Sequence, residues 1–333
     1  MKVFGWAADE VSGCRWYRLQ VPLAELARRG HVTGHAERYT PGWDDADVVI
    51  GARTCNPGPS VNWQRWAERG RRLVLDIDDD YFRIDRSNRE AWEFFARGDV
   101  QRRLQANAEM ASAVTVCSPR LAEVMRPYNA NTIFVPNGLP AEMLTWARPP
   151  SREGFVVVGW AGTGGTVHDL PLIAGRLRRF LDRHPNVVVH TVGVPGDAIV
   201  RAGLRHERVR VTPWVPGTEA YLRAVAASFD VWCAPYRPTQ FNQAKAPTKA
   251  LEAGALGIPL VASDIVPYRA HVRHGETGYL ISRDHEWDAA LHELVNDADL
   301  RARIGAAARA QAAEHTIETI APLWERALSG SST

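Results

Sequence analysis

Short apolar runs rich in Val, Ile and Leu alternate with longer amphipathic stretches along this chain, and the alternation runs through two successive series. Runs of strand length between helical periods predict buried parallel strands joined by crossover helices. In the first series the strand-length runs are 2–7, 31–36, 47–52, 72–77, 113–117 and 132–136, with helical periods at 17–29, 61–69, 89–96, 99–112 and 119–126. In the second they are 155–160, 187–192, 209–212, 231–234, 259–262 and 278–281, with helical periods at 170–183, 218–228, 246–255, 287–296 and 300–315. Between the series, Ala147-Arg148-Pro149-Pro150-Ser151 reads as a linker, since consecutive prolines continue neither a helix nor a central strand. The expected architecture is α/β. Two Rossmann-like domains, 1–147 and 148–333, face a central cleft, and the last helix is free to pack back on the first domain. Ligands in such sheets bind beyond the carboxyl ends of the strands.

Bulk properties narrow the function. The 333 residues suffice for two cores, and 45% hydrophobic with 23% charged residues is ordinary globular composition. A net charge of +2, evenly spread, projects no positive field and does not advertise DNA as a partner. Cys14, Cys55, Cys117 and Cys233 are scattered with no CxxC, as expected of reduced cytoplasmic thiols. The apolar run before Asp9 and Glu10 is too short for a signal peptide, and no run reaches transmembrane length. His271 and His274 have HxxH spacing without further ligands, so no metal is expected there.

The densest chemistry lies in Phe241–Ser263, FNQAKAPTKALEAGALGIPLVAS. Among 40 Lys+Arg, only Lys2, Lys245 and Lys249 are lysine. The spacing predicts one helix that carries Lys245, Lys249 and Glu252 on one side near its start, just after Asn242. Two ammonium groups and a carboxylate at a helix start suit a ligand with phosphates and hydroxyls, such as a nucleotide-sugar. A solvated charged face is the alternative. Upstream, Ala161-Gly162-Thr163-Gly164-Gly165-Thr166 follows a predicted strand, with His168 just beyond. Glycines there let backbone N–H groups approach a phosphate, although a tight turn explains them equally. The loop is neither a P-loop nor GxGxxG, because Val167 stands at the last position.

In the first domain, Ser12-Gly13-Cys14-Arg15 opens a helix. Gly13, Arg15 and Arg18 are candidates to hold an anionic donor or acceptor, or the arginines pair with the acidic run Asp76-Ile77-Asp78-Asp79-Asp80. That run ends a predicted strand. It can bind a divalent metal, orient an acceptor hydroxyl and act as base, or cap a turn. Asp78 is the preferred catalytic candidate, with Asp80 beside it. Trp160, Trp214, Trp232 and Tyr236 lie near strand ends, either to stack on a ligand or to fill the core.

Together these segments resemble the GT-B class of nucleotide-sugar glycosyltransferases, and within it the retaining family 4 group (glycosyl transferases group 1). Val135-Pro136-Asn137-Gly138-Leu139 resembles the group's VPNGxD segment, and Gly159-Trp160-Ala161-Gly162-Thr163 its first strand and donor-phosphate loop. Residues 249–263 resemble its EAxAxGxPVVAS signature, and His274–Ile281 the strand that follows. The resemblance covers most of the second domain and is thin over 1–130. It implies a UDP- or GDP-sugar donor and transfer with retention; no cofactor is expected, and the positive charge of the lysines on the leaving diphosphate is expected to make a metal unnecessary. It also implies that Glu252 binds the donor ribose, and that Gly162, Thr163 and the lysines bind its diphosphate. Two positions depart from the pattern. Ala244 replaces the first acid of E-x7-E, and the usual Arg/Lys pair early in the second domain is missing, so Lys245 and Lys249 are expected to take over the positive charge. The acceptor is a hydroxyl compound of open class: a glycan, a natural product, a protein or a hydroxymethylated DNA base. A nucleotide-sugar 2-epimerase of the same layout and a non-enzymatic two-domain sugar-binding protein are the alternative functions.

Overall fold

A computed structural model describes residues 1–8, 13–39, 41–146 and 154–330. The expected linker at 147–151 and Ser12 of the first glycine turn lie outside the described residues. The chain forms two compact units. One comprises Met1–Pro140, Gln243–Ala246 and His315–Thr333; the other comprises Ala141–Asn242 and Pro247–Glu314.

The first unit holds β1 (Lys2–Trp6), β2 (Val32–Ala36), β3 (Val48–Ala52), β4 (Arg72–Ile77), β5 (Ala113–Val116) and β6 (Thr132–Phe134), with α1 (Val21–Arg28), α2 (Pro57–Glu68), α3 (Arg89–Phe95), α4 (Gly98–Met110) and α5 (Pro119–Met125) between them. Its sheet runs β2-β1-β3-β4-β5-β6, and every pairing is parallel. The strand order therefore reverses between β1 and β3. β3 and β5 are buried along their whole length, because both faces of a parallel sheet are covered; β3 accordingly reads as an unbroken apolar run, and β5 is interrupted only by the buried Thr115.

The second unit repeats the plan with β7 (Val156–Ala161), β8 (Val187–Val192), β9 (Val209–Thr212), β10 (Val231–Ala234), β11 (Leu260–Ser263) and β12 (Gly278–Ile281). Its helices are α6 (Pro171–Arg183), α7 (Gly196–Arg201), α8 (Thr218–Ala226), α9 (Gln240–Gln243), α10 (Thr248–Ala255), α11 (Val266–Arg269), α12 (Glu286–Asn296) and α13 (Ala298–Ala312), with α9 ending at the division between the units. The order β12-β11-β10-β7-β8-β9 places the reversal between β7 and β10. Among the described residues no helix is long and apolar enough to cross a membrane.

Proline accounts for three departures from the expected helices. The period at 17–29 divides into a π-helical turn, Trp16–Gln20, and then α1; Pro22 has no N–H to continue the ladder. The period at 246–255 begins only at Thr248, because Pro247 caps α10 and cannot bond backward. The chain end forms an unforeseen helix, α14 (Ile317–Ser329), with Pro322 inside it. α14 lays Ile317, Ile320, Trp324, Ala327 and Leu328 into the core of the first unit, against Leu23 and Leu26 of α1. The helix expected at 300–315 stays with the second unit as α13, so the returning element is α14. Gly138 permits this return: a Cβ there would lie 2.7 Å from the Ile317 Cα. Leu139 N–H and Ile317 N–H then bond the His315 and Leu139 carbonyls at 3.1 and 2.8 Å.

Candidate functional site

In the second unit, the loops after β7 and β10 flank the reversal of strand order, where ligands of such sheets collect. After β7, the loop 162–166 closes on itself. Thr163 N–H bonds Thr166 Oγ1 at 3.0 Å, Gly165 N–H bonds Thr163 Oγ1 at 3.3 Å, and Gly162 N–H bonds the Val192 carbonyl at 3.0 Å. Gly162 and Thr163 thus sit where expected, but their N–H groups are committed inside the protein.

The turn that follows, Val167–Asp169, delivers a buried carboxylate the sequence reading passed over. Asp169 accepts bonds from the Arg237 N–H (3.2 Å) and Asn242 Nδ2 (3.0 Å), and His168 Nε2 stands 3.7 Å away. Burial, opposed by His168 and these donors, holds its carboxyl above the usual carboxylate range. Asn242 also donates to the Arg237 carbonyl at 3.0 Å, which ties the segment after β10 to the β7 turn. The Arg237 guanidinium remains one-third exposed.

α10 supplies the other half. Lys249 Nζ donates to the Tyr236 hydroxyl at 3.2 Å, and the Tyr236 ring stacks on Tyr268 at 5.7 Å and 6°. Glu252 is 5% exposed. Burial first, and then the charges of Tyr236 and Glu252, push the Tyr268 phenol well above its ordinary value, so it remains a protonated donor. Tyr221 responds in the same way to burial and Glu252. These contacts form two sets, His168, Asp169, Arg237 and Asn242 in one and Lys249 with Tyr236 in the other, joined where Tyr236 precedes Arg237 in the chain, and Glu252 lies in the field of the tyrosines. Trp160 and Trp232 are core, whereas Trp214 is 51% exposed.

Lys245 departs from the expected helix. It precedes Pro247, belongs to the first unit, and its Nζ bonds both Asp79 oxygens at 2.8 and 3.0 Å. Lys245, Lys249 and Glu252 therefore do not share one helix face. Ala244 is buried, and its carbonyl accepts the Ser118 hydroxyl. Burial pushes the Asp79 carboxyl up to about 6, against the pull of Lys245 and with the neighbouring Asp78 adding to the rise. The fold thus holds this proton more tightly than the unfolded chain does. The group favours folding most below the ordinary carboxylate range of about 4, and the contribution is lost as pH rises through about 6. Carbon-13 NMR of the Asp79 carboxyl should show a midpoint near 6, moved higher in Lys245→Met; a midpoint near 4 would contradict this environment.

The first unit places Asp76, Asp78, Asp79 and Asp80 at the end of β4, in three distinct roles. Asp76 is buried and receives Arg18 Nη2 at 2.8 Å and Nε at 3.1 Å. Arg18 is 2% exposed, also donates to the Val135 carbonyl and Asn137 Oδ1, and lies 4.8 Å from the Trp324 ring centre. It is a structural tie between β4, the VPNG segment and α14, not a ligand-facing cation. Asp80 is likewise buried; it accepts Arg83 Nη1 at 3.1 Å and the Phe82 N–H at 3.2 Å, so it closes the turn. Asp78 is half-buried and accepts the Tyr81 hydroxyl, while its carbonyl receives the Cys117 thiol at 3.0 Å. Arg15 pairs with Glu37 at 2.8 Å, and Gly13 opens the π-helical turn by accepting the Trp16 N–H. Among the described residues no group of three His, Cys, Asp or Glu is arranged to hold a metal ion.

Residues 156–297 match the family model described as glycosyl transferases group 1. Solved structures with the same fold include HepE of Anabaena in complex with UDP (18% identical, TM-score 0.69, 99% of this chain and 100% of that one). Sucrose-phosphate synthase of Thermosynechococcus elongatus is 14% identical with a TM-score of 0.71, over 99% of this chain and 100% of that one. TarM is 16% identical with a TM-score of 0.63, over 84% of this chain and 54% of that one, so the chain spans about half the length of TarM. None of the curated proteins matches it. By fold the chain is a GT-B protein, and its second sheet lies within the segment similar to the glycosyl transferases group 1 model.

Proposed function

We propose that this protein is a glycosyltransferase that moves a sugar from a nucleotide diphosphate sugar, a UDP- or GDP-sugar, to a hydroxyl acceptor. The supporting observation is the cluster in the second unit: Glu252 and Lys249 on α10, with Tyr236, Arg237 and Asn242 after β10, all within the segment that matches the family model. HepE, of the same fold, was solved with UDP and with UDP-glucose, which favours the uridine donor. Glu252 holds the ribose hydroxyls. Lys249 and Arg237 face the diphosphate and stabilise the negative charge that grows on it as the sugar–phosphate bond breaks. The first unit supplies the acceptor side, where Asp78 orients the hydroxyl or takes its proton. Transfer proceeds with retention, by resemblance to the family.

Glu252→Ala should leave the fold intact and weaken binding of UDP-glucose by about 10- to 150-fold, or ~1.5–3 kcal/mol, the worth of a hydrogen bond to a charged group. Isothermal titration against UDP- and GDP-sugars measures it, and unchanged affinity would remove Glu252 from the site. UDP release that rises with an added hydroxyl acceptor distinguishes transfer from epimerisation.

The reaction needs no metal. Asp76, Asp79 and Asp80 each already face a cation of the protein, which leaves Asp78 alone to offer a carboxylate. EDTA should leave turnover nearly intact; loss in EDTA with recovery on Mn²⁺ would reassign the acidic run to metal binding.

A further inference from the structure

Arg53 is the one non-glycine among the described residues with a positive φ, +48°. A long side chain rarely adopts this left-handed conformation, and such strain persists where surrounding contacts impose it. The position matters: Arg53 follows β3 directly, on the β1/β3 reversal of the first sheet. Its N–H bonds the Asp76 carbonyl at 2.9 Å, which holds the bent backbone against the end of β4.

The guanidinium then lies over two buried rings, 5.2 Å from the Tyr81 centre and 5.4 Å from the Phe95 centre, and these rings stack on each other at 4.4 Å. Arg53 Nη1 also approaches the Tyr81 hydroxyl oxygen at 3.4 Å, and that hydroxyl donates to Asp78 Oδ1. Burial and the Asp78 charge push the Tyr81 phenol well above its ordinary value, so it keeps its proton. A cation at the phenol oxygen makes the O–H a stronger donor, since consecutive hydrogen bonds polarise one another.

We propose that Arg53 and Tyr81 are positioning residues for Asp78: the relay from guanidinium to phenol to Oδ1 fixes the carboxylate so that Oδ2 is presented to the acceptor hydroxyl. This rests on the acceptor-side role given to Asp78 above. The strained backbone at Arg53 is what brings the guanidinium over the rings. Other charged or titratable groups around Asp78 and Tyr81 are Asp79 with its partner Lys245, Asp76 with its partner Arg18, and the Cys117 and Cys14 thiols.

The test uses the full chain with aspartate labelled in its carboxyl carbons, with Asp78 assigned by its loss in Asp78→Asn. Tyr81→Phe removes one hydrogen bond to the Asp78 carboxylate and should move the Asp78 carboxyl-carbon resonance, read at one fixed pH, by more than its linewidth. Arg53→Gly keeps the backbone, because glycine adopts positive φ without strain, and should move the resonance in the same direction while melting temperature holds. Arg53→Asn, which also tolerates this conformation, repeats the test. A merely structural role predicts lower melting temperatures with an unmoved resonance, and a resonance that stays within its linewidth in Tyr81→Phe and in both Arg53 variants would overturn the relay. UDP release from UDP-glucose separates the two claims. If Asp78→Asn releases UDP at the full rate while the resonance still moves in the relay variants, the relay stands and the acceptor role of Asp78 falls. If Asp78→Asn is slow and the resonance does not move, the reverse holds.

Discussion

An Asp78→Asn protein is expected to bind UDP-glucose as tightly as the unmodified chain and to transfer sugar about 10²–10⁴-fold more slowly, the span typical for loss of a general base. The replacement is nearly isosteric, so the Tyr81 hydroxyl keeps an oxygen to donate to, and the turn keeps its closure through Asp80 and Arg83. The proposed donor contacts, Lys249 and Glu252, lie in the second unit, which is why affinity should stay while turnover falls. Titration, melting temperature and transfer rate on one preparation decide the matter. A full rate would end the catalytic claim for Asp78.

Arg18→Ala should cost about 3–5 kcal/mol of stability, because it strands a buried carboxylate. Asp76 would keep only the Thr115 hydroxyl at 2.7 Å, and the Val135 carbonyl and Asn137 Oδ1 would lose their donor. The side chain also packs on Trp324, so α14 loses part of its seat. Against the 5–15 kcal/mol of a typical domain, this is a large share. Urea unfolding of the single variant, and of Arg18→Met combined with Asp76→Leu, tests the reasoning. The double variant should recover much of the loss, since an apolar pair of similar volume replaces a buried ion pair without penalty. A single variant within about 1 kcal/mol of the unmodified chain would show that Arg18 is not the tie described.

How much was legible follows from the range of the forces involved. Period-two and period-3.6 patterning acts over a few residues, so the parallel strands of both units and most helices could be read directly. α14 could not: Pro322 broke its local signal, and its stability comes from the apolar face it lays on α1, a contact between residues nearly three hundred positions apart. The helix that carries Lys249 and Glu252, three apart without a break, was legible. Lys245 was misplaced because a single proline decides whether the helix reaches it, and beyond that break its charge was free to seek Asp79.

The acidic run shows the limit most clearly. From sequence, Asp76, Asp78, Asp79 and Asp80 are carboxylates after a strand with Asp78 the preferred catalyst, and Arg15 and Arg18 are candidate partners of the run as a whole. Which carboxylate takes which cation depends on side-chain direction at the strand end and on long-range partners: Arg18 for Asp76, Lys245 for Asp79, Arg83 for Asp80 and the Tyr81 hydroxyl for Asp78. Asp169 escaped for the same reason, since burial and donors from after β10 give it its character. Arg53 left no sequence signal at all, because a positive φ in a long side chain is imposed by packing and not encoded in the residue type. The local pattern of this chain determined two parallel α/β sheets and the helix that carries Lys249 and Glu252. The assignment of charge to charge, and with it the division of carboxylates into ties, caps and a candidate base, was decided only when distant segments met, because electrostatic pairing is set by distance in space rather than along the chain.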